Sequence, residues 1–206
     1  MKKSNFTDFT GFIIEETKAE DIDVLLEIAT ECNLARWSRR EYEREISRKD
    51  NISFTAKKGD TIIGFITARL IIFRNESSYL NDEFSQNKGI EKTAGVNKSN
   101  KSNKSDENNK IDGDTTNECE VEIHNIAVSS LHQVQGAGKI LLNSLLEALA
   151  DFDKAGLWLE VRESNRQAIT FYRAQHFREV SKRKNYYTQP TEDAVIMKRD
   201  MVKKQV

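Results

Sequence analysis

The first part of the chain alternates between two hydrophobic periods, and each change of period predicts a new element. Residues 12–14 form an apolar run that predicts a short strand. Apolar positions then recur at helical spacing across residues 22–29, after a Thr17 to Glu20 motif of the capping-box type. A second motif of this type, Ser38 to Glu41, predicts a charged helix that continues to about Arg48.

A hairpin and a second alternating block complete the predicted fold. Two apolar runs within residues 52–73 flank Lys58-Gly59-Asp60, a turn sequence that favours a hairpin. A leucine-rich helix follows a glycine-bearing loop later in the chain, and Gly156 is predicted to cap its C-terminus. The other predicted elements are strands at 119–128 and 157–162, a helix at 165–175, and strands at 177–183 and 194–201. This alternation predicts the α/β (α+β) class, with one mixed central β-sheet flanked by helices.

The polar segment 75–119 interrupts the hydrophobic pattern. It is rich in Asn, Lys, Ser, Asp and Glu, and its centre repeats the sequence NKS. Such a segment buries too little apolar surface to offset its chain entropy, so we predict a disordered, low-complexity insert. The alternative is a partner-binding arm, for which Tyr79, Leu80 and Phe84 are the available anchors. Without the insert, the rest of 1–206 is predicted to form a single domain.

Composition limits the class of protein. The 206 residues suffice for one domain with a substantial core, and 32 Lys and Arg nearly balance 33 Asp and Glu. This balance gives no general reason to expect binding to nucleic acid or to a membrane surface. No apolar run approaches the roughly 20 residues of a membrane helix, and no apolar stretch follows the N-terminal lysines as in a signal peptide. Cys32 and Cys119 are predicted to be unreactive thiols, and we expect a cytoplasmic monomer.

The sequence QVQGAG, from Gln133 to Gly138, lies between a predicted strand and a predicted helix. Small residues let the backbone approach a ligand, and the first amides of a helix are free donors at the positive end of its dipole. This arrangement suits a pyrophosphate. The sequence lacks the spacing of a P-loop or of a dinucleotide-binding fold, and a simple glycine-rich turn is the alternative.

Several stretches, taken together in their order, resemble the GNAT acetyltransferase superfamily. QVQGAG matches its coenzyme A loop, and NIAV, LWLEVRESNRQAITFYRAQHF and RKNYYTQPTEDAVIM match the segments around that loop. Within the superfamily the resemblance is to the bacterial ribosomal-protein-alanine N-acetyltransferases, and ARWSRREYE matches them more loosely. The resemblance implies acetyl-CoA as co-substrate, no metal, and the N-terminus of a ribosomal protein as partner.

The resemblance also implies which positions bind the coenzyme. In this superfamily the strand before the loop splays from its neighbour, so its free amides bind the thioester and form an oxyanion hole. Asn165 matches a coenzyme-contacting asparagine, although a helix cap explains it equally well. The implied positions are Ile126, Ala127, Val128, Gln133, Val134, Gln135, Gly136, Ala137, Gly138, Lys139 and Asn165.

Two residues are candidates for acid–base chemistry. Glu160 lies within an apolar strand, where a carboxylate is either a paired structural group or a base. Tyr172 lies on the apolar face of the next helix, where a tyrosine is either core or a proton donor. The resemblance implies that Glu160 accepts a proton and that Tyr172 donates one to the coenzyme sulfur. It also places Trp37, Tyr186 and Tyr187 beside the acceptor groove.

Some positions depart from the superfamily pattern. His176 stands where a glycine normally permits a left-handed turn, so the local turn is in doubt. Ser129-Ser130 replaces the usual Asp-Pro, with little expected consequence for the mechanism. His124, His132 and His176 have no metal-ligand spacing, and we predict that each is structural or exposed.

The leading hypothesis is Nα-acetylation of the N-terminal alanine of a small-subunit ribosomal protein. One alternative keeps the chemistry but changes the acceptor, to a broader set of protein N-termini, to lysine or to a small amine. Another is a non-catalytic module that binds acetyl-CoA. Retention of both Glu160 and Tyr172 argues against that module.

Overall fold

The computed structural model describes residues 6–7, 11–34, 37–72 and 117–203, and within these ranges a mixed sheet carries helices on both faces. The strands are β1 (Phe6–Thr7), β2 (Phe12–Glu16), β3 (Asn51–Lys58), β4 (Thr61–Ile72), β5 (Glu118–Val128), β6 (Lys154–Arg162), β7 (Arg178–Thr188) and β8 (Thr191–Val202). The helices are α1 (Ile22–Glu31), α2 (Arg39–Ile46), α3 (Ala137–Ala148) and α4 (Arg166–Ala174).

The described strands form one sheet in the order β1-β2-β3-β4-β5-β6-β8-β7. Neighbouring strands are antiparallel except for β5 and β6, which are parallel. The parallel pair needs a crossover, and α3 provides it. The predicted α/β class, with a mixed sheet between helices, is therefore confirmed.

Two strands at the centre of the sheet part from each other. The pairing of β5 with β6 stops at Ile123 and Leu159, although β5 continues to Val128 and β6 to Arg162. β5 stays paired with β4 as far as Val128, and β6 stays paired with β8 as far as Arg162. The last residues of β5 therefore face an opening rather than a neighbouring strand.

Each face of the sheet has its own core. Leu141, Leu142 and Leu145 of α3 are fully buried beside Ile169 of α4 on one face. On the other face, a separate cluster joins α1 and α2 to the sheet: Ile22, Leu25, Tyr42, Phe65 and Ala127. Full burial of one such side chain contributes roughly 1.5–3 kcal/mol, so the two cores fix the helices on either side of the opening.

A β-bulge in β5 changes which face its side chains meet. Thr67 pairs with Asn125 and Ala68 pairs with Ile123, so His124 is the extra residue. Ile123 packs in the core beneath α3, whereas His124 contacts the aromatic ring of Trp37. The bulge thus directs His124 toward the face that carries α1 and α2.

Two predicted caps are wrong. Gly156 does not end α3 but lies inside β6, where the carboxylate of Glu120 fills the space of a side chain. Thr17 does not cap α1, because its amide donates to the carbonyl of Ser53 at 3.0 Å. The amide of Lys18 instead donates to Asp21 at 2.8 Å, one residue later than predicted.

Other predicted boundaries agree with the structure. Ser38 and Glu41 form the expected reciprocal capping box at the start of α2. Gly59, with φ of 60°, and Asp60 form the hairpin turn between β3 and β4. One boundary differs: the strand predicted at 177–183 continues in β7 to Thr188, so Tyr186 and Tyr187 belong to its bulged end.

The insert predicted at 75–119 lies outside the described residues, together with its anchors Tyr79, Leu80 and Phe84, except that β5 begins at Glu118. Its disorder stays a prediction. Across the described ranges, no helix combines the length and the apolar character needed to cross a membrane.

Candidate active site

The turn before α3 presents free backbone amides. Gly136 precedes the helix with φ of 95°, and the amide of Ile140 bonds to the Gly136 carbonyl at 3.1 Å. The amides of Ala137, Gly138 and Lys139 come earlier, at helix positions that have no intrahelical acceptor. They point out of the positive end of the helix dipole, a geometry that suits an anion.

Two further features of the turn favour a ligand. Val134 has φ of 62°, a strained conformation for a β-branched residue, and its side chain is 97% exposed. Gly136 leaves its backbone uncovered, because no atom lies within 4 Å of the place that a Cβ would take there. The predicted coenzyme positions around the turn therefore fit an extended ligand that carries a pyrophosphate.

The side chain of Gln133 is used inside the protein. Its Nε2 donates to the Val128 carbonyl at 3.0 Å, and its Oε1 accepts from Gln167 of α4 at 3.3 Å. The Cys32 thiol also donates to the Val128 carbonyl, at 3.3 Å. These contacts join α1, α4 and the end of β5 at one point, so Gln133 can offer a coenzyme its backbone more readily than its amide group.

Glu31 holds the same turn from the opposite side. Its carboxylate accepts from the Ser130 amide at 2.8 Å and from the Ser129 hydroxyl at 3.5 Å. The hydrogen bonds from Ser130 lower the pKa of Glu31. A proline at position 130 would have no amide to donate, so the Ser129-Ser130 departure has a structural consequence that the sequence did not suggest.

The other predicted coenzyme positions differ in what they expose. Ala127 and Ala137 have buried side chains, so each can offer a ligand only its backbone, whereas Lys139 is exposed. The Asn165 side chain caps α4 by accepting from the Ala168 amide at 3.0 Å, which confirms the cap and leaves coenzyme contact a prediction. Gln135 donates its Nε2 to the Leu131 carbonyl at 3.2 Å.

Glu160 is the first residue of β6 beyond the last pair with β5. Leu159 and Val161 point into the core beneath α3 and α4, so Glu160 points to the opposite face. Its carboxylate is 21% exposed and pairs with Arg183 of β7 at 2.7 Å. Tyr186 hydrogen-bonds to the same carboxylate, which raises the pKa of that phenol. Glu160 is thus paired and still reachable from solvent.

Tyr172 lies on the α4 side of the sheet, within the core. Its ring is buried against Phe171 at 5.3 Å and Phe177 at 5.6 Å between centroids. Burial, and then the neighbouring Tyr187, raise the pKa of Tyr172, so its phenol stays protonated at neutral pH. Burial and the Glu160 charge likewise raise the pKa of Tyr187 to about 12. Tyr187 therefore lies within electrostatic reach of both catalytic candidates.

A left-handed turn after α4 fixes Tyr172 in place. His176 has φ of 65°, and its amide donates to the Arg173 carbonyl at 3.0 Å. The Phe177 amide donates to the Tyr172 carbonyl at 3.0 Å, which completes a Schellman motif with the Phe177 ring against Tyr172. The turn is kept although a histidine occupies the position that favours glycine.

The predicted acceptor residues lie on the face to which Glu160 points. Tyr186 is 46% exposed and meets Tyr187 edge to face, with 5.1 Å between centroids, and the guanidinium of Arg162 lies 4.1 Å from the Tyr187 ring centre. Trp37 packs against Tyr42 at 5.2 Å on the side of α1 and α2. The aromatic walls thus come from two separate parts of the chain.

A comparison with protein-family models identifies the family of this chain. The model of the Acetyltransferase (GNAT) family matches residues 22–177 of the chain, which include the turn, Glu160 and Tyr172. The chain belongs to the GNAT acetyltransferase family. The opening between β5 and β6 and the amides before α3 are therefore features of a GNAT domain.

Individual GNAT relatives show narrower similarity. The [ribosomal protein bS18]-alanine N-acetyltransferase of Escherichia coli K12 is 46% identical over 80 residues, which are 38% of this chain and 54% of the relative. The N-alpha-acetyltransferase RimI of Mycobacterium tuberculosis is 40% identical over 82 residues, 39% of this chain and 49% of the relative. The chain thus spans about half the length of the curated relatives it matches.

A solved structure supports the GNAT fold. The crystal structure of the ribosomal-protein-S18-alanine N-acetyltransferase from Escherichia coli covers 95% of this chain and 96% of its own, with a TM-score of 0.62 and 22% identity. At that identity the likeness concerns the fold.

Three residues at the site had no predicted role. Arg183 pairs with Glu160, Glu31 holds the turn, and His124 supports Trp37. Arg183 is the first residue of the family-matching stretch RKNYYTQPTEDAVIM, so its neighbourhood was a signal. Glu31 and His124 act through contacts with residues far away in sequence, and no local pattern marks them.

Proposed function

We propose that this protein is an acetyl-CoA-dependent Nα-acetyltransferase that acts on the N-terminal alanine of a small-subunit ribosomal protein. The observation that carries the proposal is the position of Glu160, at the point where β6 leaves β5. A carboxylate there faces the opening, with the phenol of Tyr187 near it, and Tyr187 in turn lies near Tyr172. The similarity to bS18-alanine N-acetyltransferases supports the choice of acceptor.

Glu160 takes the role of proton acceptor. An N-terminal amine has a pKa near 8, so at neutral pH most of it carries a proton that must leave before attack. The Glu160 carboxylate accepts this proton directly or through a water molecule. Arg183, at 2.7 Å, holds the carboxylate in its orientation while leaving it partly exposed.

Two other groups act on the acetyl transfer itself. The amine nitrogen forms a bond to the acetyl carbon, and the carbon–sulfur bond to coenzyme A then breaks. Among the predicted positions Ile126 to Val128, the backbone amides that do not bond to β4 would stabilise the oxyanion. Tyr172 donates its phenolic proton to the departing thiolate, a role suited to a phenol whose raised pKa keeps it protonated.

Acceptor choice depends on the aromatic walls. Tyr186 is exposed beside Glu160, and Trp37 lies on the same face of the sheet. Rigid aromatic side chains bind a peptide backbone at low entropic cost. Between them the first side chain of the peptide enters, and a small residue such as alanine fits a narrow space. The cytoplasmic location, the monomeric state and the absence of a metal, of a membrane partner and of direct nucleic-acid contact remain predictions.

The acceptor is tested with matched peptides. One peptide begins with a free alanine, a second has that N-terminus blocked and carries an internal lysine, and a third begins with a bulky residue. We expect kcat/KM for the alanine peptide to exceed that for the lysine peptide by about 10²-fold or more. The reason is that only a correctly positioned amine is oriented for attack on the acetyl carbon.

The same experiment separates the alternatives. Equal efficiency on the alanine and lysine peptides would favour a broader amine acetyltransferase. Equal efficiency on alanine and on a bulky N-terminus would favour broad N-terminal specificity. Acetyl-CoA binding without transfer to any peptide would favour the non-catalytic module.

A further inference from the structure

A buried polar cluster lies directly beneath Trp37. The indole ring of Trp37 is 5.3 Å from the imidazole of His124, between ring centroids. The His124 side chain is only 12% exposed, and the bulge in β5 turns it toward this face. Trp37 thus rests on a titratable side chain as well as on the ring of Tyr42.

The His124 ring has a partner within reach that it does not bind. Its Nε2 is buried without a hydrogen bond and lies 3.6 Å from Glu45 Oε1. The Glu45 carboxylate, 5% exposed, is bound by the guanidinium of Arg69 through both of its oxygens. On the other side, His124 Nδ1 lies 4.0 Å from Glu122.

Acidic and basic groups both lie near the imidazole, and they have opposite effects on its pKa. The groups that face it are Glu45 and Arg48 from α2 and the turn after it, Arg69 from β4, and Glu122 from β5 itself. The Tyr42 phenol of α2 is held neutral, because burial raises its pKa. Burial is the largest influence and lowers the pKa of His124, so the ring is neutral at neutral pH.

A histidine is costly at this position if packing is its only role. An unsatisfied buried polar group costs about 1–3 kcal/mol, and a phenylalanine would offer Trp37 a ring without that cost. Protonation removes the cost of the unsatisfied nitrogen, because an imidazolium donates a hydrogen bond from Nε2. A charge-assisted hydrogen bond to Glu45 closes the 3.6 Å gap toward about 2.8 Å and moves the ring relative to Trp37.

We propose that His124 is a positioning residue for the acceptor: its neutral ring supports Trp37, and its protonated ring turns to Glu45 and withdraws that support. The inference rests on the proposed function for the role of Trp37. Acceptor affinity then weakens in acid, while acetyl-CoA affinity, which depends on the turn before α3, does not. Because burial lowers the pKa of His124, this loss is confined to acidic pH.

The first test measures the fluorescence of Trp37 in the absence of any substrate. In a Trp158→Phe background Trp37 is the remaining tryptophan, and its emission is recorded from about pH 8 to pH 5. Protonation places a charge near the indole and moves the His124 ring relative to it, and both changes alter the emission. We expect a single titration of the emission, which His124→Phe abolishes. His176→Asn, which removes an exposed histidine elsewhere, is the matched control and should leave the titration unchanged.

The second test measures the acceptor. The ligand is the Nα-acetylated alanine peptide, which has no titrating amine. We expect its dissociation constant to rise about three- to tenfold between pH 7.5 and pH 5.5, the worth of one lost aromatic contact. In His124→Phe the constant should be flat with pH and the acetyl-CoA constant unchanged. Thermal melting of each variant excludes simple unfolding, and His124→Gln provides a polar, non-titrating second variant.

The outcomes are distinct. An emission titration that persists in both folded His124 variants would overturn the proposal, as would a peptide affinity that keeps its pH dependence in them. If the emission titrates through His124 but no alanine peptide is bound or acetylated, the proposed function fails while the contact between His124 and Trp37 stands.

Discussion

The proposed coenzyme side and the proposed acceptor side of this GNAT domain offer a ligand different kinds of groups. Around the turn before α3, the groups available to a ligand are backbone amides, set by left-handed Val134 and Gly136. On the acceptor face they are side chains, Glu160, Tyr186 and Trp37, which come from distant parts of the chain. One half depends on local backbone geometry, and the other depends on how the whole sheet assembles.

The difference affects how each half responds to substitution. A backbone amide survives most changes of its own side chain, so the turn fails only when bulk or charge enters it. The acceptor face has no such tolerance, because Arg183 pairs with Glu160 and His124 supports Trp37. A conservative change there alters charge or a ring contact directly. The variants below separate the two halves.

The largest effect is expected from Glu160→Gln, which removes the proposed proton acceptor from the side-chain half. The turnover number kcat should fall about 10²- to 10⁴-fold, the usual contribution of a positioned acid or base, while acetyl-CoA binding is kept. The defect should shrink above about pH 8, where the amine is already neutral. Glu163→Gln, whose carboxylate pairs with Lys182 instead, makes the same charge change off the site and should be near wild type.

Tyr172→Phe tests the proposed proton donor to the thiolate of coenzyme A. The ring and its contacts with Phe171 and Phe177 remain, so binding should be kept while release of the thiolate slows. Raising the pH should not relieve this defect, because the missing group is an acid. Tyr42→Phe also removes a buried phenol, on the opposite face, and serves as the control. Near-normal turnover in both Glu160→Gln and Tyr172→Phe would contradict the catalytic assignment.

The sequence predicted the backbone half better than the side-chain half. The turn could be anticipated from six consecutive residues, because small residues, a strand before and a helix after suffice to define it. The pairing of Glu160 with Arg183 needed β7 to lie beside β8, and the position of Trp37 needed α1 and α2 to pack on the correct face. Such contacts depend on strand order, which a local pattern does not contain.

The wrong predictions have the same origin. A glycine after a leucine-rich helix is typical of a cap, but Gly156 is required because Glu120 of the neighbouring strand occupies its side-chain space. Thr17 fits a capping box locally, yet its backbone amide is held by Ser53 of β3. In both places a partner from another strand decided the outcome over local propensity.

The next effect concerns the backbone half alone. Gly138→Glu places bulk and negative charge among the amides before α3, and acetyl-CoA affinity should fall by more than about tenfold, or about 1.4 kcal/mol. Calorimetry on the folded variant measures this. Acetyl-pantetheine, which lacks the pyrophosphate, should lose far less. Gly138→Ala introduces a Cβ at 3.6 Å from Phe171, an ordinary contact, so it should fold normally and isolate steric approach from charge.

Unchanged affinity for acetyl-CoA in folded Gly138→Glu would contradict the assignment of the turn. Equal losses for acetyl-CoA and acetyl-pantetheine would show that the turn contacts the pantetheine arm rather than the pyrophosphate. Either result would weaken the comparison between the two halves, because the amides would then have no anion to bind.

The smallest expected effect is on stability. It tests whether backbone strain can be relieved without a change in catalysis. His176 is exposed and adopts φ of 65°, a conformation that costs a residue with a Cβ about 1–2 kcal/mol. His176→Gly should therefore raise the free energy of unfolding by about 1 kcal/mol, less the added entropy of glycine in the unfolded chain. His176→Ala removes the same imidazole but keeps the strain, so it should not stabilise. Because the Schellman bonds of Phe177 and Tyr172 persist, kcat should stay at the wild-type value in both variants. A lower kcat in His176→Gly at unchanged stability would instead show that the histidine side chain itself orients Tyr172. This turn would then depend on a side chain as well as on its backbone geometry.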